Sequence, residues 1–402
     1  MSYREKLFGL RQTGVKFSLD SMRNLAESIG HPERGLCFIH IAGTNGKGSV
    51  AAMCASIAEA AGLKVGLYTS PHLVSYRERF RVNGQMISEE RLDEYLAEYE
   101  RRGWPGTFFE ITTAIALQHF SEERVDLVVW ETGLGGRLDA TNIVTPQVSV
   151  LTRIAVDHGA LLGDSLPKIA AEKAAIIKPG IPSVSAPQQP EVLAVLRERA
   201  ESIRSPLHVV ALKNIDEFVS PLAGDHQRWN TAVAVAACRI ALVGLPDHEI
   251  AQGLRNVQWP ARAQSIPTEP RLILDGAHNP DAIRALARTV PSLFGNEPFH
   301  LIFGAAADKD IAGMAKTLMS LPGLQSVFLV PLASERSATP EQLREAFPQG
   351  RFCDHWEDAW AHVRGQSIPA LVTGSFFLAG EVLAWAEDPA LAVDAGELWK
   401  AV

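Results

Sequence analysis

The sequence is poor in cysteine, and its few cysteines lie far apart. The 402 residues include four cysteines, Cys37, Cys54, Cys238 and Cys353, and no two of them form a C-x-x-C pair. This spacing argues against a disulfide-stapled secreted domain and against a zinc ribbon. Because Cys37 and Cys54 fall in apolar runs, we predict buried thiols in a reducing compartment.

Basic charge and long apolar runs are also scarce. The 38 Lys and Arg residues are outnumbered by 46 Asp and Glu residues, and the formal net charge is −8. A general nucleic-acid binder needs a basic surface, so the net charge argues against this function. No apolar run reaches the ~18 residues of a membrane helix, and the charged start MSYREK lacks the pattern of a signal peptide. We therefore expect a cytoplasmic protein that binds neither nucleic acid nor a membrane.

What remains is the composition of an ordinary globular protein, 47% hydrophobic and 21% charged. Its length indicates two or three domains. Apolar strands and helical stretches alternate along most of the chain, which predicts an α/β fold with a parallel sheet. Two prolines within the segment 265–270 (SIPTEP) suggest a linker, and the alternation restarts beyond it. We therefore predict one domain over residues 1–267 and a second over residues 268–402.

The most informative stretch runs from Cys37 to Ala61. Cys37–Ala42 is a short apolar run typical of a buried strand, and Gly43–Ser49 is a turn with three glycines. An alanine-rich helix is expected from Val50 to a C-cap near Gly62. Free backbone N–H groups and the helix dipole converge where such a turn meets a helix N-terminus, so the stretch predicts an anion site.

Within this turn, Lys47 supplies a positive charge, and Ser49 supplies a hydroxyl suited to a phosphate-bound Mg²⁺. The strict pattern G-x-x-x-x-G-K-[ST] is not met, because Ile41 and Gly48 stand at two of its fixed positions. The alternative is a glycine-rich turn with a solvated lysine. The strand–turn–helix context favours nucleotide phosphate binding, and the predicted ATP-binding residues of the turn are Gly43, Thr44, Asn45, Gly46, Lys47, Gly48 and Ser49.

Polar residues follow two later strands. Val125–Trp130 runs directly into Glu131, and Val148–Ala155 is followed by Asp157 and His158. Ligands of parallel sheets gather at the carboxyl ends of the strands, and Mg²⁺ on nucleotide phosphates takes one or two such side chains. The alternative for each is a solvated loop residue. Beside a phosphate loop, we favour the metal-binding interpretation.

Two further segments are less distinctive from the residues alone. Leu166–Ile177 has the pattern of a helix, and its neighbours Glu172 and Lys173 would ordinarily be assigned as a solvated surface pair. The sequence HQRWN at 226–230 precedes a long apolar stretch, Thr231–Val243, which predicts another helix.

Taken together, the motifs resemble those of the folylpolyglutamate synthase/dihydrofolate synthase family, within the Mur ligase superfamily of ATP-dependent amide-bond ligases. The resemblance covers nearly the whole chain in the family's order. The matching stretches are HIAGTNGKGSV (40–50), YTSPHL (68–73), ERFRVNG (78–84), FFEITTAIAL (108–117), ETGLGGRLDATN (131–142), DH (157–158), LGDSLPKIAAEKAAIIKPG (162–180), HQRWN (226–230), WPAR (259–262), DGAHNP (275–280), ADKD (307–310) and GSFFLAGE (374–381).

The resemblance implies an N-terminal P-loop-type ATPase domain and a C-terminal Rossmann-like α/β domain, the glutamate-ligase domain. It also implies a reaction. ATP's γ-phosphoryl group passes to a carboxylate of dihydropteroate or a reduced folate, and L-glutamate attacks the resulting acyl phosphate. ATP is then the co-substrate, Mg²⁺ occupies two sites, and the protein is expected to be a monomer.

The family's functional residues map onto individual positions. Lys47, His158 and Lys173 are the implied catalytic residues, with Lys173 matching a lysine that is carbamylated. Ser49 and Glu131 are implied for one Mg²⁺, and Ser70, Glu131 and His158 for the other, with the Lys173 carbamate nearby. The implied nucleotide contacts outside the loop are Asn230, Arg262, Asp275 and His278.

Three segments depart from the family pattern. Gly159 and Ala160 stand where a threonine and an acidic residue usually follow Asp-His, which leaves the specificity for the pterin open. Ala175 and Ala261 replace glycines and are single-methyl changes. Whether both ligase activities are present is therefore not decided by the sequence.

Two rival functions follow from the same motifs. One is another Mur-type ligase acting on a different carboxylate. Such ligases usually carry an extra N-terminal domain, and we expect none here because the phosphate loop begins as early as Gly43. The other is a switch protein that hydrolyses ATP without ligation, which His158, Lys173 and the second α/β domain argue against.

Overall fold

The computed structural model describes residues 2–10, 18–157 and 159–387. Within them the chain forms two compact units. Unit 1 contains the described residues up to His72 together with Tyr76–Pro221 and Gln227–Gln258. Unit 2 contains Leu73–Ser75, Leu222–His226 and the described residues from Trp259 onward.

Unit 1 is built on an eight-stranded sheet with the order β4-β3-β2-β5-β1-β6-β7-β8. Six neighbouring strands are parallel, and the hairpin of β3 and β4 adds an antiparallel edge. The central strand β1 is apolar and fully buried, as expected for a strand covered on both faces. The strands are β1 (Phe38–Ala42), β2 (Val65–Tyr68), β3 (Phe80–Val82), β4 (Gln85–Met86), β5 (Leu127–Glu131), β6 (Val148–Leu151), β7 (Ser183–Ser185) and β8 (Leu207–Val209).

The helices up to residue 256 connect and cover these strands. They are α1 (Tyr3–Gly9), α2 (Asp20–Ser28), α3 (Lys47–Ala60), α4 (Glu89–Arg101), α5 (Phe108–Glu122), α6 (Gly159–Leu162), α7 (Leu166–Ala174), α8 (Pro190–Ser202), α9 (Asp225–Ala241) and α10 (Asp247–Asn256). Local sequence sets several of their starts. Ser88 caps α4, and Thr107 with Glu110 forms a capping box at α5.

Unit 2 contains a six-stranded sheet with the order β13-β12-β11-β14-β10-β9, parallel except for β9. Alternate residues along its strands feed two separate apolar cores, so both faces of the sheet are covered. The strands are β9 (Gln264–Ile266), β10 (Glu269–Leu274), β11 (Phe299–Phe303), β12 (Leu324–Leu329), β13 (Arg351–Phe352) and β14 (Ala370–Thr373). The helices are α11 (Pro280–Phe294), α12 (Ile311–Leu318), α13 (Pro340–Ala346), α14 (Trp356–Arg364) and α15 (Phe376–Glu387).

The predicted fold class, two α/β domains with mostly parallel sheets, is confirmed. The predicted linker at 265–270 is wrong, because these residues form a hairpin in which β9 pairs antiparallel with β10. The division expected between residues 267 and 268 falls inside that hairpin, whereas unit 2 resumes at Trp259. Two helices also begin earlier than expected, α3 at Lys47 and α9 at Asp225, so HQRWN lies within a helix.

Among the described residues, no helix combines the length and the apolar character that a membrane crossing requires.

Candidate active site

The turn between β1 and α3 leaves the N-terminus of a long helix without a side-chain cap. Its N-cap residue is Gly46, with φ 92°, and no side chain accepts a hydrogen bond from the first helical turn. A Cβ atom at Gly46 would lie 2.6 Å from Oδ1 of Asn230, so glycine is required both by φ and by the close approach. Uncapped N–H groups at a helix N-terminus favour an anion.

This turn is fixed to the chain that follows β6. The backbone N–H groups of Thr44 and Asn45 donate to the carbonyl oxygen of Arg153, at 2.8 and 3.1 Å. The Thr44 hydroxyl donates to the carbonyl oxygen of Ala155 at 3.0 Å and accepts from its N–H at 3.1 Å. The loop is therefore held in shape by backbone contacts that leave the helix terminus open.

Lys47, Glu131 and Ser70 come together at the end of β5. Ile41 of β1 is paired with Glu131, the last residue of β5, which brings that carboxylate beside the turn. Nζ of Lys47 lies 4.0 Å from Oε1 of Glu131 and donates to the carbonyl oxygen of Thr44 at 3.3 Å. The backbone N–H of Ser70 donates to Oε2 of Glu131 at 3.1 Å. A buried carboxylate and a lysine thus face the same end of the sheet.

Ser49 and Asn230 are joined through a residue that the sequence did not single out. The buried Ser49 hydroxyl accepts a hydrogen bond from Nε2 of Gln227 at 3.3 Å. Oε1 of Gln227 in turn accepts from Nδ2 of Asn230 at 2.9 Å. The i, i+3 spacing of Gln227 and Asn230 on α9 was the available signal, but it required knowing that HQRWN is helical.

Lys173 is buried against the phosphate loop. Its side chain is 4% exposed, and Nζ donates to the carbonyl oxygen of Gly43 at 3.0 Å. Burial, followed by the positive charge of Lys47, lowers the pKa of Lys173 to about 7. The interpretation as a solvated surface pair is therefore wrong for this lysine, whereas its neighbour Glu172 does pair with Arg137 at 2.9 Å.

The donor set near the loop suits a hard cation. Among residues 2–10, 18–157 and 159–387, no three His, Cys, Asp or Glu side chains group as a metal site by themselves. Mg²⁺ commonly takes one or two protein oxygens and completes its shell with phosphate oxygens and water. The Glu131 carboxylate and the Ser49 hydroxyl fit that requirement. His158, expected as a further ligand, lies outside the described residues.

The three predicted nucleotide residues of unit 2 gather around the turn after β10. The Asp275 carboxylate accepts from the N–H groups of Ala263 and Ala277, both at 2.9 Å. The Arg262 guanidinium lies over the Phe376 ring at 4.9 Å, and the His278 ring is 4.9 Å from the same ring. Phe376 thus holds two of the predicted side chains in place, although the sequence motif that contains it gives it no role of its own.

Comparison with known proteins agrees with the family resemblance seen in the sequence motifs. The Mur ligase middle domain matches residues 41–186, and the Mur ligase glutamate ligase domain matches residues 261–375. Folylpolyglutamate synthase of Lacticaseibacillus casei is 35% identical over 395 residues, covering 89% of this chain and 92% of that protein. Dihydrofolate synthase/folylpolyglutamate synthase of Bacillus subtilis is 33% identical, with coverages of 94% and 97%.

Among solved structures, E. coli FolC in complex with DHPP and ADP superposes with a TM-score of 0.86 at 32% identity. The match covers 96% of this chain and 98% of that one. Similarity of this extent, in sequence and in fold, places the chain within a single family. The chain belongs to the folylpolyglutamate synthase/dihydrofolate synthase family of ATP-dependent ligases built on Mur ligase domains.

Proposed function

We propose that this ligase joins L-glutamate to a carboxylate of dihydropteroate, of a reduced folate, or of both. The observation that carries the proposal is the uncapped N-terminus of α3, with Lys47 4.0 Å from the buried Glu131. The names of the relatives, and the DHPP and ADP bound to the E. coli protein, support the choice of substrates.

In this proposal the turn holds the phosphates of ATP. The N–H groups of the first turn of α3 bind phosphate oxygens, and Lys47 neutralises charge that develops on the γ-phosphoryl group. Ser49, Ser70 and Glu131 would hold Mg²⁺, with His158. The bound ion supplies charge neutralisation at the phosphate oxygens. Asn230, Arg262, Asp275 and His278 are assigned to the nucleotide by the resemblance.

The chemistry proceeds in two displacements. An oxygen of the substrate carboxylate attacks the γ-phosphorus, and the bond to the ADP oxygen breaks. The amine of L-glutamate then attacks the acyl carbon, phosphate leaves, and the nitrogen loses a proton to give the amide. Positioning and charge neutralisation account for most of the catalysis of phosphoryl transfer, which is what a rigid loop and a fixed lysine provide.

Lys173 is proposed to act as its carbamate. An ammonium group cannot ligate a cation, but a neutral amine attacks CO₂, loses a proton and becomes a carboxylate at the end of a long side chain. The lowered pKa of about 7 provides the neutral amine near neutral pH. A carbamate retains one N–H, so the hydrogen bond to the Gly43 carbonyl is compatible with the modification.

The test is a glutamate incorporation assay run in parallel with dihydropteroate and tetrahydrofolate, with ADP release measured in the same tubes. We expect incorporation with at least one acid, and one ADP released per amide formed. ADP release that is independent of both the acid and glutamate would contradict the proposal and favour an ATP-hydrolysing switch. If neither acid supports glutamate incorporation or ADP release, the result would point to a Mur-type ligase acting on another carboxylate.

A further inference from the structure

Arg79 is a buried arginine without a carboxylate partner. Its side chain is 5% exposed, and its Nε donates to Nδ1 of His72 at 3.0 Å. Within the described part of the chain, no Asp or Glu forms an ion pair with it, and His72 is its one hydrogen-bond partner. The guanidinium has five N–H donors in a planar fork, so most of its hydrogen-bonding capacity is unused by the protein.

Aromatic rings surround this guanidinium. Its central carbon lies 5.4 Å from the centre of the Phe108 ring and 5.7 Å from that of Tyr76. Phe8 packs against both rings, at 5.4 and 5.5 Å. These contacts hold the side chain in place, but a ring face only partly compensates the charge of a largely buried side chain. The arrangement is costly for the protein alone.

The sheet register places Arg79 at the end where ligands bind. Phe80 of β3 is paired with Tyr68, the last residue of β2, so Arg79 follows at the level of Thr69. On the other side of β2, Tyr68 is paired with Trp130, so Glu131 occupies that same level. Arg79, directly before β3, and Glu131, the last residue of β5, therefore lie on opposite sides of β2, two strand spacings or about 9–10 Å apart.

We propose that Arg79 binds a carboxylate of the acid substrate, so that its guanidinium fork completes a site opened by Lys47 and Glu131. The inference rests on the proposed function. A carboxylate matches the planar fork and can accept two parallel hydrogen bonds from it. The aromatic rings beside Arg79 suit the flat, aromatic body of a pterin-containing acid.

Two carboxylates of the acid substrate could fill this role. Dihydropteroate has a single carboxylate, which is the reacting one, whereas a reduced folate also carries a carboxylate that does not react. If Arg79 holds the reacting group, its removal impairs both substrates. If Arg79 holds the non-reacting group, its removal impairs tetrahydrofolate and spares dihydropteroate.

The experiment compares the wild type with Arg79→Met, which keeps a long apolar stem among the rings. KM values are measured for dihydropteroate, tetrahydrofolate, L-glutamate and ATP, and urea unfolding is measured without ligands. Arg77→Met is the matched control, because Arg77 lies two residues away and pairs with Glu89. Arg79→Lys keeps the charge and loses the fork.

We expect Arg79→Met to raise KM for at least one acid by about 10- to 100-fold, the range for a charged hydrogen bond. KM for ATP should stay within about twofold, and the urea midpoint should equal or exceed that of the wild type, since an unpaired buried charge is removed. Arg79→Lys should show an intermediate KM, and it replaces the methionine variant in the comparison should that variant not fold. Arg77→Met should match the wild type.

A fall in the urea midpoint with unchanged KM values would overturn the proposal and make Arg79 structural. A rise in KM for L-glutamate alone would overturn it as well, since the anion would then belong to the amino acid. The wild-type measurements test the proposed function separately from the role of Arg79. If the wild type joins glutamate to neither acid, the proposed function fails and the Arg79 inference fails with it.

Discussion

Two strands, one in each unit, end in a turn that leads into a helix, and the two turns are built in opposite ways. Between β1 and α3 the N-cap is Gly46, and no side chain caps the helix. Between β10 and α11 the N-cap is Asn279, whose Oδ1 accepts from the N–H of Ala282 at 2.9 Å, and Pro280 removes another N–H. The first helix terminus is open, and the second is closed by its own sequence.

The difference shows what each turn can do. An open terminus offers backbone N–H groups to an outside anion, as at α3. A closed terminus has used those groups, and Asp275 has used the N–H of Ala277 in the same way. The second turn can therefore contribute a side chain such as that of His278, with Arg262 from the segment before β9 beside it, but few backbone donors. The same strand–turn–helix topology thus leaves an open helix terminus in one unit, where we propose that phosphate binds, and a capped terminus in the other.

Removing the charge from the open turn should have the largest effect. Lys47→Ala is expected to lower kcat for glutamate incorporation about 10³-fold or more, because the lysine acts where charge develops in the transition state. Urea unfolding should change little, since the contact of Lys47 with Glu131 is long at 4.0 Å. Ligation at a near wild-type rate would refute the assignment of the phosphate loop.

A side chain that crowds the open turn should have the next largest effect on activity. Gly46→Ala places a Cβ 2.6 Å from Asn230 and forces a positive φ on alanine. We expect a loss of kcat/KM for ATP of about 10²-fold, because a small misplacement of a binding group can cost that much.

The matched control for this variant is Gly62→Ala, at the C-terminal end of α3. Gly62 has a φ of 80°, and a Cβ added there would meet no neighbouring atom within 4 Å, so the backbone strain is similar and the crowding is absent. Its stability should fall by about 1 kcal/mol while kcat/KM stays near wild type. Equal losses of activity in both variants would mean that strain, rather than the geometry of the turn, is responsible.

A buried titratable lysine, Lys173, contacts the open turn through the carbonyl oxygen of Gly43. Burial lowers the pKa of Lys173 from 10.5 to about 7 in the folded protein. Between pH 7 and pH 10.5, Lys173 is neutral in the folded protein and protonated in the unfolded chain, so unfolding takes up a proton. The free energy of unfolding of the wild type, relative to that of Lys173→Met, should therefore rise with pH. We expect roughly 1 kcal/mol per pH unit between pH 7 and 9.

This measurement is urea unfolding in bicarbonate-free buffer, because carbamylation would consume the neutral amine. Below pH 7 the difference between the two proteins should level off, since both states then hold the proton. A difference that stays constant from pH 7 to pH 9 would show that Lys173 keeps its charge in the fold.

Opening the closed turn should have the smallest effect. Asn279→Ala removes the cap of α11 and should cost about 1 kcal/mol of stability, the usual value for an N-cap. Urea unfolding measures the cost, and AMPPCP titration measures nucleotide binding, which we expect to change less than threefold. A loss of AMPPCP binding of more than tenfold would remove the distinction between the two turns.

The open turn could be predicted from the sequence because its signals are local. An apolar strand, three glycines and an alanine-rich helix are adjacent, and β1 and α3 confirm the elements. The sequence places the start of α3 three residues late, because glycine and lysine after Gly46 give no periodic pattern. The segment 265–270 is misleading for a related reason, since Pro267 lies in the turn of a hairpin and Pro270 in its second strand rather than in a free linker.

The rest of the site depends on tertiary structure, which a single sequence encodes poorly. Lys173 and Glu172 are adjacent and similarly polar in the sequence, and only the packing of α7 shows that one is buried and the other paired at the surface. The resemblance names Lys173, but the residues alone would not have done so. Arg79 lies within a matching motif but receives no role from it, because its burial depends partly on Phe108 and Phe8, which lie far away in the chain.

The most direct test is hydrogen–deuterium exchange of the backbone amides of residues 43–50, with and without AMPPCP and Mg²⁺. If the open terminus of α3 holds the nucleotide phosphates, AMPPCP should slow exchange of these amides in the wild type and leave it unchanged in Lys47→Ala. Unchanged exchange in the wild type, under conditions where titration shows AMPPCP to be bound, would place the phosphates elsewhere and contradict the central claim.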